Sequence, residues 1–304
     1  MRALLPTVAL LAAACTTTFA EPRYQLSPYV AVHRLRGDAG AATPGVGGGP
    51  ATANAEQPLS RFGQGDRDDD LSWRFDVGDG FAGVRVDWYR LGLDGEGGSP
   101  LDGGYGAFAA GDVATMRARM DEFRVGYVES VATTRVQLRD RPLVLRAGAG
   151  GVFASRDLSL TARRASDGAT ERSSFDGENL DAALRLGARW RDFALDAEYA
   201  FSPCLAIGGD VDGLLHDLEL RAAWTLPYYD VTLFAGWRLA TIDASAGGGR
   251  SADLTLDGWL LGVSVSLCSP GASTRRLTSR RARPGAGRRR RPRRAPRTRR
   301  RCGR

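Results

Sequence analysis

Polar and apolar residues alternate along most of the chain, as the segment FAGVRVDWYRL (81–91) illustrates. In an extended chain its Val84 and Trp88 lie on one side, while Arg85 and Asp87 lie on the other. A period of two predicts a β-strand with one apolar and one polar face. In a soluble protein the apolar face packs in a core, whereas in a membrane barrel it contacts lipid and the polar face lines the lumen.

Ten segments carry this pattern. It is clear in the segments 71–77, 81–91, 179–190, 193–201, 216–226, 231–239 and 259–267. Residues 24–35 are apolar on both sides, and residues 116–138 change phase, which predicts a bulge or an extension beyond the main sheet. Residues 143–162 alternate well at first and slip after Arg156.

The connections between these segments are alternately short and long. Tight turns are predicted at 78–80, 139–142, 191–192 and 227–230, and long loops at 37–69, 93–113, 164–176, 203–213 and 244–251. An up-and-down barrel in an outer membrane has short periplasmic turns, long outer loops and an even number of strands. The sequence therefore predicts an all-β, up-and-down antiparallel transmembrane β-barrel of ten strands, with eight or twelve as alternatives.

Large aromatic residues lie on the apolar side of the predicted strands, several of them next to a predicted turn. Aromatic side chains at the edges of an apolar band are typical of a membrane interface. The alternative is that they are core residues of a soluble β-protein. The predicted interface residues are Trp73, Trp88, Trp190, Phe193, Trp224, Trp237 and Trp259.

Residues 22–268 resemble the small outer-membrane β-barrels of bacteria. The resemblance is one of architecture, except at the last predicted strand. Such proteins end in a strand that the barrel-assembly machinery reads, and Gly262, Val265 and Leu267 match its spacing. Leu267 stands where an aromatic residue is usual, and a long tail follows it. The resemblance implies outer-membrane lipid and the assembly machinery as partners, and a monomer.

The N-terminus has the features of an export signal. Arg2 precedes an apolar run at 3–14, and Thr18-Phe19-Ala20 offers small residues at the positions required for cleavage after Ala20. We therefore assign residues 1–20 to a signal peptide and residues 21–268 to the barrel. A second hypothesis is a lipoprotein signal acylated on Cys15. Export predicts the bacterial outer membrane as the location, with the periplasm as the alternative.

The inward face of the predicted barrel carries charges of both signs in near balance. A ten-stranded barrel is narrow, so these charges are expected to pair across the lumen, because unpaired charges in a confined space are costly. We expect a largely filled lumen, with a narrow passive channel for small solutes as the alternative. The predicted network comprises Arg74, Asp76, Arg85, Asp87, Arg124, Arg146, Arg185, Arg189, Asp196, Glu198, Asp217, Glu219, Arg221 and Arg238.

No catalytic or metal site is predicted. A ten-stranded barrel is similar to the omptin proteases, but His33 and His216, the only histidines, do not reproduce the histidine and acidic pairs of that family. The acids at 210–212 and 66–70 lack the regular spacing of a calcium loop. The cysteines that would remain after cleavage form neither a disulfide framework nor a metal-ligand pattern. We therefore expect no enzyme activity, no cofactor and no metal.

The net charge of +7 is the sum of an acidic segment, residues 1–268, and a basic tail, residues 269–304. Residues 269–304 hold 16 of the 42 basic residues and no acid, which leaves 26 basic against 35 acidic groups before them. The composition predicts a disordered tail that contacts anionic head groups, or a gene read out of frame near residue 268. No aromatic residue is interleaved, so we expect no nucleic-acid partner. The function we expect is that of an outer-membrane barrel that is structural or interacts through its outer loops. The remaining alternative is a soluble periplasmic β-protein with a polyanion-binding tail.

Overall fold

The computed structural model describes residues 23–45, 51–202, 206–209, 215–227 and 229–267. The predictions for the signal peptide, for acylation at Cys15 and for the tail at 269–304 lie outside these residues. In the described part of the chain, no helix is long and apolar enough to cross a membrane.

The described chain is almost entirely β-strand. One short 3-10 helix, Leu59–Phe62, interrupts the strands. The strands are β1 (Arg23–Gly40), β2 (Gln57–Pro58), β3 (Asp68–Gly78), β4 (Gly83–Asp94), β5 (Ala114–Leu138), β6 (Arg141–Arg164), β7 (Thr170–Trp190), β8 (Phe193–Ser202), β9 (Ala206–Gly209), β10 (Leu215–Thr225), β11 (Val231–Ala246) and β12 (Arg250–Leu267).

The strands close into a ring. Each long strand pairs antiparallel with the next along the chain, and β12 pairs with β1 from Tyr24–Leu267 to Gly40–Ser251. Among the described strands, ten form the ring, while the short β2 and β9 attach to β1 and β7. The predicted fold, an up-and-down antiparallel barrel, is confirmed.

Tight turns connect the strands at one end of the ring. The turns at Arg139 and Arg191 place a non-glycine residue at positive φ, 55° and 56°, as two-residue hairpin loops require. At the other end the connections 41–67 and 95–113 are long. The predicted loops 164–176 and 244–251 are wrong, however. Strand β7 covers most of the first segment, and β11 and β12 together cover most of the second, which leaves turns of a few residues.

The reason is that the barrel extends beyond its apolar outer band, and its polarity inverts there. In the far half of β5, Met116 and Met120 point inward and are buried, whereas nearer the tight turns Glu122 and Arg124 point inward. The pairing of β5 with β6 is continuous through this point, and its only irregularity lies between Ser130 and Ala132. The first change of phase, near Met120, is therefore a change of chemistry along a regular part of the strand. The predicted bulge and extension are found farther along, where the pairing shifts between Ser130 and Ala132 and β5 continues past its pairing with β4.

The same explanation applies to β6. Arg156 points inward, and Leu158 and Leu160 beyond it point inward as well, with no slip in the pairing. The predicted slip after Arg156 is therefore wrong. Because apolar residues outside the membrane still need burial from water, the far half of the barrel packs them inside, as a soluble domain does.

Two outer connections close this apolar compartment. The 3-10 helix contributes Leu59 and Phe62, and the connection 95–113 contributes Tyr105 and Phe108, all of them buried. The rings of Phe62 and Tyr105 meet edge to face, with centroids 5.0 Å apart. The outer mouth of the barrel is thus filled by a hydrophobic core.

A band of exposed apolar side chains surrounds the half nearer the tight turns. On β12 the outward residues from Trp259 to Leu267 are all exposed and all apolar, whereas the two serines that alternate with them face inward. Eight residue steps cover about 26 Å along a strand, and about 20 Å along the axis of a barrel with ordinary strand tilt. That height is close to the apolar band of an outer-membrane barrel.

Candidate functional site: the charged lumen

Arginine side chains bridge the lumen inside this band. Arg74 on β3 donates from Nε to Asp87 on the neighbouring β4 at 2.5 Å. Its two terminal nitrogens donate to both carboxylate oxygens of Glu219 on β10, each at 2.7 Å. The side chain of Arg74 is 3% exposed. A bidentate pair between strands on opposite walls fixes the distance across the ring.

A second bridge lies nearer the tight turns. Arg85 on β4 donates to Asp76 at 2.8 Å and to Glu198 on β8 at 2.8 Å. Arg185 on β7 also binds Glu198. The carboxylate of Glu198 therefore joins two arginines that come from different walls. Near this bridge, Arg221 approaches Asp196 at 3.4 Å.

A third bridge lies towards the apolar compartment. Arg238 on β11 donates to Asp217 at 2.7 Å and to Glu122 on β5 at 2.6 Å. Arg124 donates to Asp217 at 2.7 Å, and Arg156 donates to Glu122 at 2.7 Å. All five side chains are buried. Acids and arginines alternate here, so each carboxylate has a guanidinium on either side.

Several members of this network were missed from the sequence. Glu122, Arg156 and Asp181 lie inward, and Arg156 reaches Asp181 at 3.5 Å. Glu122 and Arg156 fall where the alternation of β5 and β6 was interpreted as broken, and continuing a period of two through that point would have found both. Asp181 lies on the polar side of the clearly alternating β7 and was simply not included in the predicted network. Arg189, by contrast, was predicted to be inward, but it is exposed at the tight-turn end of β7.

A turn folds into the tight-turn end of the lumen and covers it. Residues 79–82 connect β3 to β4, and the carboxylate of Asp79 accepts the backbone N–H groups of Phe81 and Ala82 at 2.8 and 2.9 Å. Arg146 donates to Asp79 at 2.6 Å. Burial raises the pKa of Asp79, but the Arg146 bond and the two N–H bonds outweigh it and leave that pKa below its ordinary value.

The Phe81 ring is the plug that this turn carries. Phe81 is buried, its carbonyl accepts from Arg185 at 2.5 Å, and Arg146 lies over its ring at 4.5 Å from the centroid. The ring occupies space that Gly148 and Gly187 leave open, since a Cβ at Gly187 would lie 2.6 Å from it. Side chains at these two glycines would expel the plug.

Two small cavities lie between the bridges and the plug. One cavity of about 10 Å³ is bordered by Arg85, Arg124 and Glu198. Another of about 20 Å³ lies between Phe81, Arg85 and Arg221. A cavity of this size has room for about one water molecule.

The two histidines contact tyrosines. His33 on β1 is fully buried in the lumen, and its Nδ1 lies 2.7 Å from the Tyr89 hydroxyl. Arg238 covers the Tyr89 ring at 4.9 Å. His216 stacks on Tyr199, with ring centroids 5.8 Å apart. Within the described residues, no group of histidine, cysteine or acidic side chains has the arrangement to hold a metal ion.

The predicted interface aromatics lie on the outer wall at two levels. At the tight turns, Trp190 pairs with Phe193, and Phe193 stacks on Trp224 with centroids 6.2 Å apart. Farther out, two tryptophan pairs face each other across neighbouring strands; they are Trp73 with Trp88, and Trp237 with Trp259.

The residues predicted as an assembly signal divide between the two faces of β12. Val265 and Leu267 point outward and are exposed, whereas Gly262 points inward. A Cβ at Gly262 would lie 2.5 Å from the Phe234 ring and 2.6 Å from the Cβ of Tyr29. The glycine therefore has a packing role in the lumen in addition to any role in recognition.

No protein-family model and no curated protein match the sequence. Solved structures similar to the chain include the outer membrane protease OmpT of Escherichia coli, at 10% identity and a TM-score of 0.40, covering 82% of this chain and 98% of that one. The attachment invasion locus protein Ail of Yersinia pestis matches at 12% identity and a TM-score of 0.30, covering 81% and 99%. A FadL homologue of Pseudomonas aeruginosa matches at 10% identity and a TM-score of 0.28, covering 81% and 90%.

Proposed function

We propose that the chain is an outer-membrane barrel protein with a sealed lumen, which serves as a scaffold and interacts through its outer loops. The observation that carries the proposal is the closure of the lumen at three levels. The Phe81 turn covers one end, the arginine bridges cross the middle, and an apolar core fills the other end.

The electrostatics of the middle level support a closed role. An ion that passes through a channel needs charged groups that water can solvate. In this lumen Arg74, Glu122 and Arg238 are buried, and each is paired with a group of opposite charge. A small ion would have to displace a guanidinium from its carboxylate. Removing one partner of a buried pair costs about 3–5 kcal/mol, which is a large barrier to permeation.

The outer loops support an interactive role because they are held in one arrangement. The side chain of Gln57 accepts the backbone N–H groups of Asp102 and Gly103 at 3.1 and 3.3 Å, which ties the first loop to the second. Arg61 binds Asp102 at 2.8 Å. A preorganised surface loses less entropy when it binds a partner.

The test is conductance in planar lipid bilayers, with the full chain reconstituted from detergent. We expect no stable openings from the wild type. Phe81→Ala removes the plug but leaves the bridges, so it should also stay closed. Phe81→Ala combined with Arg74→Ala and Arg238→Ala still leaves the apolar core at the outer end, so this variant should stay closed as well. Only when Phe62, Tyr105 and Leu160 of that core are also exchanged for serine should the barrel conduct, while the outward Phe193→Ala should not.

Stable wild-type openings whose ion selectivity changes in Arg185→Gln would replace this proposal with the narrow channel. Recovery of the chain without detergent from a soluble periplasmic fraction would refute the membrane assignment itself.

A further inference from the structure

At the tight-turn end of the barrel, the hairpin of β5 and β6 continues past its neighbour β4, while its other side stays paired with β7 as far as Leu143 and Trp190. Strand β4 begins at Gly83, which pairs with Val128 of β5, but β5 continues to Leu138. In the described chain, no strand pairs with residues 129–138 on the β4 side. Ten residues extend about 33 Å along a strand. In an outer-membrane barrel the tight turns face the periplasm, so the hairpin projects into it.

The backbone groups that face this free edge can be identified. Leu138 and Arg141 flank a two-residue loop, and in such hairpins the flanking pair exchanges both backbone hydrogen bonds. Gln137 and Pro142 are then a non-hydrogen-bonded pair, which suits Pro142 because it has no N–H. Since the direction alternates along a strand, Thr133, Arg135 and Gln137 present their N–H and C=O groups outward.

The hairpin has an apolar face and a basic character. Val136 is exposed and lies opposite Leu143, on the same face as Leu138. Residues 129–143 contain three arginines and two acids, so the segment is net positive. Exposed strand edges are usually protected by pairing, bulges or covering loops, since they bind other strands. The irregularity between Ser130 and Ala132 protects one end of this edge, but residues 133–138 are exposed and no described strand pairs with them on the β4 side.

We propose that the free edge of β5 at residues 129–138 is a docking site for an extended, acidic segment of a periplasmic protein. The segment adds to β5 as a further strand, its backbone bonding to Thr133, Arg135 and Gln137. Its alternate side chains meet the apolar face and the arginines. The periplasmic location rests on the proposed function, but the binding itself does not.

Charge selects this occupant over the tail and over a second copy of the chain. The tail at 269–304 carries 16 arginines and no acid, so it repels a net-positive hairpin. A second copy would bring another hairpin of the same net positive charge beside the first. Like charges on paired strands repel each other. An acidic strand meets neither obstacle.

The test uses the full chain in detergent micelles and a fluorescein-labelled decapeptide that alternates Glu and Val. One control peptide replaces Glu by Lys, and a second carries N-methyl groups on alternate backbone nitrogens. Binding is followed by fluorescence anisotropy, and hydrogen exchange reports protection at 133–137. A heat-dependent gel shift checks that each variant is folded.

We expect the Glu peptide to bind. The N-methylated control should bind at least about tenfold more weakly, because it loses two or more backbone hydrogen bonds. The Lys control should also bind more weakly, because its ammonium groups face the arginines of the hairpin. Gln137→Pro, which removes an edge N–H, should weaken binding, whereas Gln137→Ala should not. Arg135→Glu should invert the preference between the Glu and Lys peptides, and Arg135→Lys should preserve it.

Equal binding of the three peptides, or no effect of Gln137→Pro, would overturn the proposal. Binding only after removal of residues 268–304 would show that the tail occupies the edge instead. Concentration-dependent dimers that Gln137→Pro abolishes would assign the edge to a second copy. None of these results depends on conductance, so the docking site and the sealed lumen can fail separately.

Discussion

Arg74 offers the sharpest test of the bridged lumen. It holds Asp87 and Glu219, two acids on different walls, and its side chain is 3% exposed. Arg74→Met preserves most of the packing against Tyr29, over whose ring the guanidinium lies at 5.7 Å. The substitution leaves two buried carboxylates without their shared cation. Breaking a buried pair costs about 3–5 kcal/mol, and we expect a loss at the upper end of that range because two acids are affected.

Glu219→Gln should cost less, because Arg74 still has Asp87 and the amide oxygen can still accept a hydrogen bond. We expect about 2 kcal/mol, the value of hydrogen bonds to charged groups. The double variant Arg74→Met/Glu219→Gln should lose less stability than the sum of the two single losses. Once Arg74 is gone, a neutral side chain at position 219 avoids a buried carboxylate that has lost its cation. The coupling energy should therefore be about 2 kcal/mol.

The assay is equilibrium urea unfolding in detergent micelles, followed by tryptophan fluorescence and checked by the gel shift of the folded form. Arg117→Met is the matched control, because Arg117 binds Asp94 on the outer wall with both side chains more than half exposed. That pair should contribute almost nothing. If Arg74→Met is no more destabilising than Arg117→Met, the lumen is hydrated and the sealed scaffold is refuted.

Three further predictions concern other parts of the barrel. Gly262→Val should block refolding in micelles without any assembly factor, because its side chain would clash with Phe234 and with Tyr29; normal refolding would show that the glycine acts only in recognition. The backbone N–H of Ala109 and the guanidinium of Arg164 hold the pKa of Asp112 below its ordinary value, so this outer tie is complete at neutral pH and is lost as pH falls through that lowered pKa. The rate at which pepsin cuts the connection 95–113 in the wild type, divided by the rate in Asp112→Asn, should then rise as pH falls, because the pH dependence of pepsin itself cancels in the ratio. Finally, unboiled protein should migrate differently from boiled protein, which a soluble sandwich would not do.

The strand order and the outward band could be predicted because they depend on local alternation. A period of two is visible within any seven residues, and the tight turns carry their own residue types. The outer half could not be predicted in the same way. There the strands continue but the apolar side changes from outward to inward, so Met116–Leu138 reads as a broken strand although its pairing with β6 is continuous from Ala114 to Ser130.

Most of the residues that face the lumen could be predicted from the sequence, but the pairs that they form could not. Alternation places Arg85 and Asp87 inward, but which acid meets which arginine depends on the curvature and tilt of the closed ring. Arg74 and Glu219 are 145 residues apart in the sequence and meet only because β3 and β10 face each other. The Phe81 plug has no periodic signal, because it depends on a turn and on the space left by two distant glycines.

The inversion of polarity also explains why the seal needs three levels. A wholly apolar lumen beside an apolar lipid face would leave strands with no preference between inside and outside, because a one-residue register shift would exchange equivalent faces. Charged residues in the membrane half, such as Arg74 and Arg238, forbid that shift, since it would place guanidinium groups in lipid. Outside the membrane the constraint reverses, and Leu158 and Leu160 must point inward to leave water. The bridges therefore specify the register of the lower half, and the apolar core specifies that of the upper half.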